Sequence, residues 1–222
     1  ANRGEIAVRI IATLKKLSIM SVAIYADNDA SSMHCRVADE ARPLGAGNLS
    51  ETYLNIQKII DIALDTGADA IHPGYGFLSE NADFAEACIN NNLIFVGPNP
   101  DSMRLMGDKI RSRQFAIDND IPVVWGFVGG KDEIEAQSAI LPYPVLIKAS
   151  AGGGGKGMHI VERPEQLHDM LEQSSREAGK YFGNGNVFVE QYIKNPRHIE
   201  VQVLADHHGN VIHLHERECS VQ

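Results

Sequence analysis

Residues 144–161, PVLIKASAGGGGKGMHIV, join two short apolar runs through a loop of four consecutive glycines. Pro144-Val145-Leu146-Ile147 and Met158-His159-Ile160-Val161 have strand composition, and nothing long enough for a crossover helix lies between them. The pair is therefore expected to be antiparallel, the mark of a domain of α+β type. Gly152, Gly153, Gly154 and Gly155 lose more backbone entropy on ordering than any other tetrapeptide, so a compact domain keeps them for close approach or unusual dihedrals. Several bare N–H donors beside Lys148 and Lys156 suit a polyphosphate, although a flexible surface hairpin would have the same composition. The P-loop pattern does not fit, because Met158 stands where a hydroxyl is required and a strand follows. The dinucleotide fingerprint fails because no helix N-terminus follows the glycines.

Upstream, the texture alternates. Ile6, Ile10, Leu14 and Leu17 recur at helical spacing, and Ser21-Val22-Ala23-Ile24-Tyr25 reads as a buried strand. A helix on Leu54, Ile56, Ile59, Ile60 and Ala63, a strand at residues 68–71, a helix around Phe84 and Cys88, and a strand at residues 93–96 follow. Such alternation predicts a parallel sheet with helices on both faces. It places the loops after Ile71 and Val96 at the carboxyl edge, where open α/β sheets hold ligands. One helical stretch through Met103, Met106, Ile110 and Phe115 leads into the second half. Downstream of the glycines, a helix from Pro164 to about Lys180 and a strand at residues 187–190 are expected. Residues 197–206 alternate with Ile199, Val201 and Val203 on one face and His198, Glu200 and Gln202 on the other. Residues 207–210 then turn into a partner strand from Val211 to Arg217.

The chain has 222 residues, enough for one large domain or two modest ones, and a net charge of −9 that argues against a general nucleic-acid or acidic-membrane surface. No apolar run approaches the ~18 residues of a membrane span. Three scattered cysteines without a C-x-x-C pair suit a reducing compartment and read as buried or idle thiols. The ends, Ala1-Asn2-Arg3-Gly4 and Ser220-Val221-Gln222, lack the character of domain boundaries, and a piece of a longer protein is expected.

Other candidates keep two readings each. Lys109, in MGDK, lies where the two halves meet and suits a nucleotide cleft, but a helix lysine is ordinarily solvated. His72-Pro-Gly-Tyr-Gly-Phe77 suits the wall of a planar ligand or a rigid turn with a packed aromatic. His198, His213 and His215 suit a metal cluster or a polar strand face. Neither Cys88 nor Cys219 has a base nearby in sequence.

ANRGEIAVRI, IHPGYGFLSEN, FVGP, MGDK, IKASAGGGGKGM, NPRHIEVQVL and ERECSVQ occur in the order found in the biotin carboxylase component of biotin-dependent carboxylases, which the chain resembles over its whole length. The glycine loop is shared with other ATP-grasp ligases, while HPGYGFLSEN is the more specific mark. The resemblance implies an α/β fold: a Rossmann-like parallel-sheet domain over 1–112, then an ATP-grasp domain over 113–222 comprising an α+β lid and the start of a third, truncated domain.

It also implies an ATP-dependent carbon–nitrogen ligase that carboxylates carrier-bound biotin with bicarbonate through carboxyphosphate, using Mg²⁺ or Mn²⁺. Lys109, Lys148, Gly154, Gly155, Glu190, Gln191, Tyr192, Ile193 and His198 match nucleotide-binding positions, with 190–193 holding the adenine. Tyr75, Gly76, Glu80 and Gln222 match the biotin pocket. The family's catalytic arginines and metal-binding glutamates fall beyond Gln222, so no catalytic or metal residue is expected here, and the fragment alone is expected to be inactive. An ATP-binding regulatory or interaction module lacking the metal carboxylates is the alternative.

Implied partners are a biotin carboxyl carrier, a carboxyltransferase component and a second copy in a homodimer, without nucleic acid or membrane. The implied compartment is the cytoplasm, or the mitochondrial matrix in a eukaryote. Gln191 stands where many relatives have lysine, and Trp125-Gly126-Phe127 replaces a stretch that commonly reads Pro-Gly.

Overall fold

The structure, a computed structural model, describes residues 1–149, 158–183 and 185–221. Contacts divide the chain into two compact units, Ala1–Gly107 and Asp108–Gln222. In the first, α1 (Gly4–Lys16), β1 (Val22–Ala26), α2 (Met33–Val37), β2 (Glu40–Gly45), α3 (Ile56–Asp65), β3 (Ala70–Ile71), α4 (Ala82–Asn90), β4 (Ile94–Phe95) and α5 (Pro100–Gly107) follow in order. β3 pairs with β4 in parallel, as the alternating elements predict, and β1 pairs in parallel with β2, a strand that the sequence pattern does not announce. Among the described residues these form two separate two-stranded sheets rather than one.

β1 is covered on both faces because its side chains alternate. Ile24 and Ala26 enter the main core with Ile60, Phe84 and Phe95, while Ala23 packs against Ala7 and Ile11 of α1. The buried stripe of α1 is thus Ala7 and Ile11, one position on from the Ile6, Ile10 and Leu14 that the spacing suggests. Leu17, also placed on that stripe, is 63% exposed.

The second unit contains α6 (Lys109–Asp118), β5 (Gly126–Val128), α7 (Lys131–Ala136), β6 (Val145–Ala149), β7 (His159–Val161), α8 (Leu167–Phe182), β8 (Val187–Gln191), β9 (Ile199–Ala205) and β10 (Val211–Glu218). The single helix expected through Phe115 is in fact two. The Asp108 carboxylate accepts from the N–H groups of Ile110 and Arg111 and so starts α6 afresh. β5, β8, β6 and β7 form an antiparallel sheet in that order. The direct β6 to β7 pairing is what the two runs flanking the glycines predict. Val145, Ile147 and Ala149 of β6, with Val187 and Val189 of β8, pack against Leu167, Leu171 and Ala178 of α8. Eleven side chains are fully or nearly fully buried in this cluster, so the sheet is a rigid platform whose opposite face remains for other work.

β9 and β10 form an antiparallel hairpin of their own. β9 forms where the alternation places a strand, and its apolar side chains Ile199, Val201 and Val203 are 44%, 56% and 51% exposed.

Candidate functional site

Because β6 and β8 pair Lys148 with Phe188 and Leu146 with Glu190, these four residues share the sheet face opposite α8. Lys148 and Glu190 are diagonal neighbours there, and the Lys148 ammonium forms an ion pair with the Glu190 carboxylate. Both are largely covered, at 23% and 19% exposure, so the pair interacts through less water than a surface pair. Lys109, at the first turn of α6, joins them. Its pKa is pushed below the ordinary lysine value, chiefly by burial and then by the Lys148 charge, while Glu190 pulls it back up. Two ammonium groups thus feel one carboxylate, which is paired with Lys148 and attracts Lys109 electrostatically, a cluster short of negative charge.

The chain leaves this face along the end of β8. The Gln191 N–H donates to the Trp125 carbonyl and the Tyr192 N–H to the Pro144 carbonyl, each at 2.9 Å. Among the described residues the Ile193 N–H has no protein acceptor. A flat heterocycle lying along residues 190–193 would therefore meet one free donor at the strand's end.

His198 lies at the start of the β9–β10 hairpin. Its N–H donates to the Ser220 hydroxyl at 2.8 Å, and its ring lies 3.9 Å from the Glu200 carboxylate. Gly154, Gly155 and Gln222 lie outside the described residues. Among the described residues no group of three or more His, Cys, Asp or Glu side chains is arranged to hold a metal ion. His213 and His215 do meet edge to face, with ring centres 5.3 Å apart.

The HPGYGF loop is a site of its own in the first unit. The Gly74 N–H donates to His72 Nδ1 at 3.0 Å, and Gly74, Gly76 and Phe77 all have positive φ, at 70°, 70° and 46°. A bulky residue in the left-handed region is rare and signals a held conformation. Phe77 stacks on Tyr53 with ring centres 5.3 Å apart, as a packed aromatic. Tyr75 is 61% exposed, and Glu80 is exposed. A cleft of about 330 Å³ opens beside the loop, lined by Asn2, Arg3, Glu5, Ile6, Tyr75 and Gly76 among others.

The support beneath that loop has no local signal in the sequence. Asn2, only 5% exposed, donates through its amide to the carbonyls of Pro73 at 2.8 Å and Tyr75 at 3.0 Å. Arg3 pairs with Asp29 at 2.9 Å and lies over the Tyr53 and Phe77 rings. The Tyr53 hydroxyl donates to Asp29 at 2.7 Å and accepts from the Ala26 N–H at 3.1 Å. Burial would raise the Asp29 pKa, but hydrogen bonds from Arg3 and Tyr53 outweigh it and hold it below the usual range. Burial pushes the Cys88 thiol up to about 11, in keeping with an idle core cysteine.

Residues 1–103 match the N-terminal domain of biotin carboxylase, and residues 108–222 match the ATP binding domain of the carbamoyl-phosphate synthase L chain. The chain belongs to the biotin carboxylase family. It is 52% identical over its whole length to the mitochondrial methylcrotonoyl-CoA carboxylase subunit alpha of Oryza sativa subsp. japonica, of which it spans 30%. It is 48% identical to the biotin carboxylase of Halalkalibacterium halodurans, spanning 50% of that protein. The biotin carboxylase domain of Hydrogenobacter thermophilus 2-oxoglutarate carboxylase, solved with MgADP, ADP and bicarbonate, superposes with a TM-score of 0.89 at 46% identity. That alignment covers all of this chain and 49% of the other. The chain thus spans half or less of the length of these biotin carboxylase relatives. The two matched domains also meet close to the division between the compact units, at Gly107 and Asp108.

Proposed function

We propose that the protein carrying this chain is a biotin carboxylase, which couples ATP cleavage to carboxylation of carrier-bound biotin by bicarbonate through carboxyphosphate. What supports this reading is the Lys148–Glu190 pair on the open face of the second unit's sheet, with Lys109 of α6 in electrostatic reach of both. An ammonium pair short of one negative charge is a ready counterpart for a triphosphate tail.

In this reading Lys109 and Lys148 neutralise phosphate oxygens, and Lys148 exchanges its Glu190 partner for the nucleotide. Gly154 and Gly155 let the loop approach the phosphoryl groups and exclude water. Residues 190–193 hold the adenine through backbone groups, with the Ile193 N–H as donor. A glutamine at 191 leaves those backbone contacts intact. His198 joins the nucleotide from the hairpin. Mg²⁺ or Mn²⁺ would balance the phosphate charge, but the described residues do not themselves assemble a metal site, so no step is assigned to it.

Tyr75, Gly76 and Glu80 of the first unit are read as biotin-pocket positions, and Gln222, outside the described residues, is assigned to biotin by resemblance alone. The second unit is read as an ATP-grasp lid, with the exposed β9–β10 hairpin as the start of a third domain that covers its apolar side chains. A carrier domain, a carboxyltransferase component and a second copy of the chain are the partners. Among the described residues no helix is long and apolar enough to cross a membrane; the cytoplasm or mitochondrial matrix is the proposed compartment.

The test is ADP release by the purified full-length protein, with bicarbonate and free biotin added separately and together. Release stimulated by biotin only when bicarbonate is present supports the reading, and release indifferent to both refutes it.

A further inference from the structure

The HPGYGF loop is held in a demanding conformation by residues about seventy positions away. Gly74 lies so close to the first unit's N-terminal segment that an added Cβ would sit 2.7 Å from Asn2 Nδ2 and 2.8 Å from Ile6 Cγ2. Asn2 uses both amide hydrogens on this loop, one at Pro73 and one at Tyr75, and its own oxygen accepts from the Arg3 N–H at 2.9 Å. A buried amide with every group satisfied by backbone fixes a backbone path. Arg3 fixes the far end. Its guanidinium, anchored by Asp29, lies 5.2 Å from the Tyr53 ring centre and 5.6 Å from that of Phe77. Phe77 is the residue with positive φ immediately after Gly76.

We propose that Asn2 and Arg3 are positioning residues for the Tyr75–Gly76 wall of the cleft, Asn2 by setting its backbone and Arg3 by clamping Phe77. This rests on the reading of that wall as part of the biotin pocket. Both residues also border the cleft, but Asn2 spends its donors on Pro73 and Tyr75, and Arg3 spends its charge on Asp29, so their polar groups act on the cleft by holding Tyr75 and Gly76 in place. The cation–π placement also suits an arginine at position 3: its guanidinium pairs with Asp29 while lying near two rings, whereas a lysine keeps a charge for Asp29 but not the broad guanidinium beside both rings.

The experiment uses the full-length protein with free biotin as the probe. Asn2→Ala, Arg3→Lys and Tyr75→Ala are each measured for KM of biotin and KM of ATP in bicarbonate-dependent turnover. Loss of a buried hydrogen-bond donor or a stacking contact predicts a rise in biotin KM of about tenfold for Asn2→Ala and a few-fold for Arg3→Lys, with ATP KM unchanged. Arg3 is 41% exposed in its side chain, so Arg3→Lys carries the test should Asn2→Ala fail to fold. If Tyr75→Ala raises biotin KM while Asn2→Ala and Arg3→Lys leave it unchanged, the positioning role is wrong and the pocket stands. If biotin and ATP KM rise together, the role is merely structural and the inference is overturned. If Tyr75→Ala changes nothing, the assignment of the pocket itself fails, and the inference with it.

Discussion

Replacing Lys148 of β6 by methionine keeps an unbranched side chain of similar length and removes the charge. In the protein as it stands, that charge is held by Glu190 on the same sheet face. A triphosphate must therefore outcompete an existing ion pair, and the gain is the difference between two attractions. Two unit charges 4 Å apart at an effective dielectric of 20 attract by about 4 kcal/mol. A tail with more than one charge within reach, offset by the Glu190 contact it displaces, leaves a net of about 2 to 3 kcal/mol. Lys148→Met is then expected to weaken ATP binding about 30- to 150-fold. Adenosine, which has no phosphates, should bind the variant and the parent alike. The assay is equilibrium titration of both proteins with ATP and with adenosine at one ionic strength. Equal losses for the two ligands would mean that Lys148 supports the adenine end or the fold, and an unchanged ATP affinity would refute the placement of phosphates beside it.

Three further outcomes follow from the same geometry. Lys109 has a pKa below that of an ordinary lysine because burial and Lys148 disfavour its charge. Its charged form, and with it ATP affinity, should therefore decline on the alkaline side at a lower pH than for a free lysine. In Lys148→Met that decline should move to higher pH, as an ATP titration across the alkaline range would show. Gly74→Ala puts a Cβ 2.7 Å from Asn2 Nδ2 at φ 70°. Left-handed backbone and overpacking together should lower unfolding free energy by about 2 to 5 kcal/mol, read by chemical denaturation. Asp29 has a folded pKa below its value of 3.8 in the unfolded chain. Its stabilising effect is thus complete above that value and lost as pH falls through the folded pKa. Asp29→Asn should reduce stability at neutral pH and flatten the acid limb of the denaturation profile.

Much of the second unit was legible in the sequence because its signals are local. The glycine run excludes a crossover helix between residues 147 and 158, and the apolar runs on either side can only pair directly. What escaped reading depends on partners far along the chain. β2, with Glu40, Arg42 and Pro43 among its six residues, has no apolar periodicity, and its parallel pairing with β1 is what makes it a strand. The Lys148–Glu190 pair exists because the β6–β8 register puts two residues 42 positions apart on one diagonal. Asn2 looks like an ordinary polar residue near a helix start, and only the return of the loop at Pro73 and Tyr75 gives its amide something to hold. The alternation in β9 marks the converse limit: period two establishes which side chains share a face, but not what covers that face. His198, matched to a nucleotide position by resemblance, lies at the start of that same hairpin.

The central claim is that the Lys109 and Lys148 ammonium groups together receive the phosphate tail of a nucleotide. The most direct measurement is the ATP affinity of Lys109→Met, Lys148→Met and the double variant in the full-length protein, analysed as a double-mutant cycle. Two groups sharing one tail predict large single losses that are not additive in the double variant, with adenosine affinity untouched throughout. Additive small losses, or equal losses for ATP and adenosine, would contradict it.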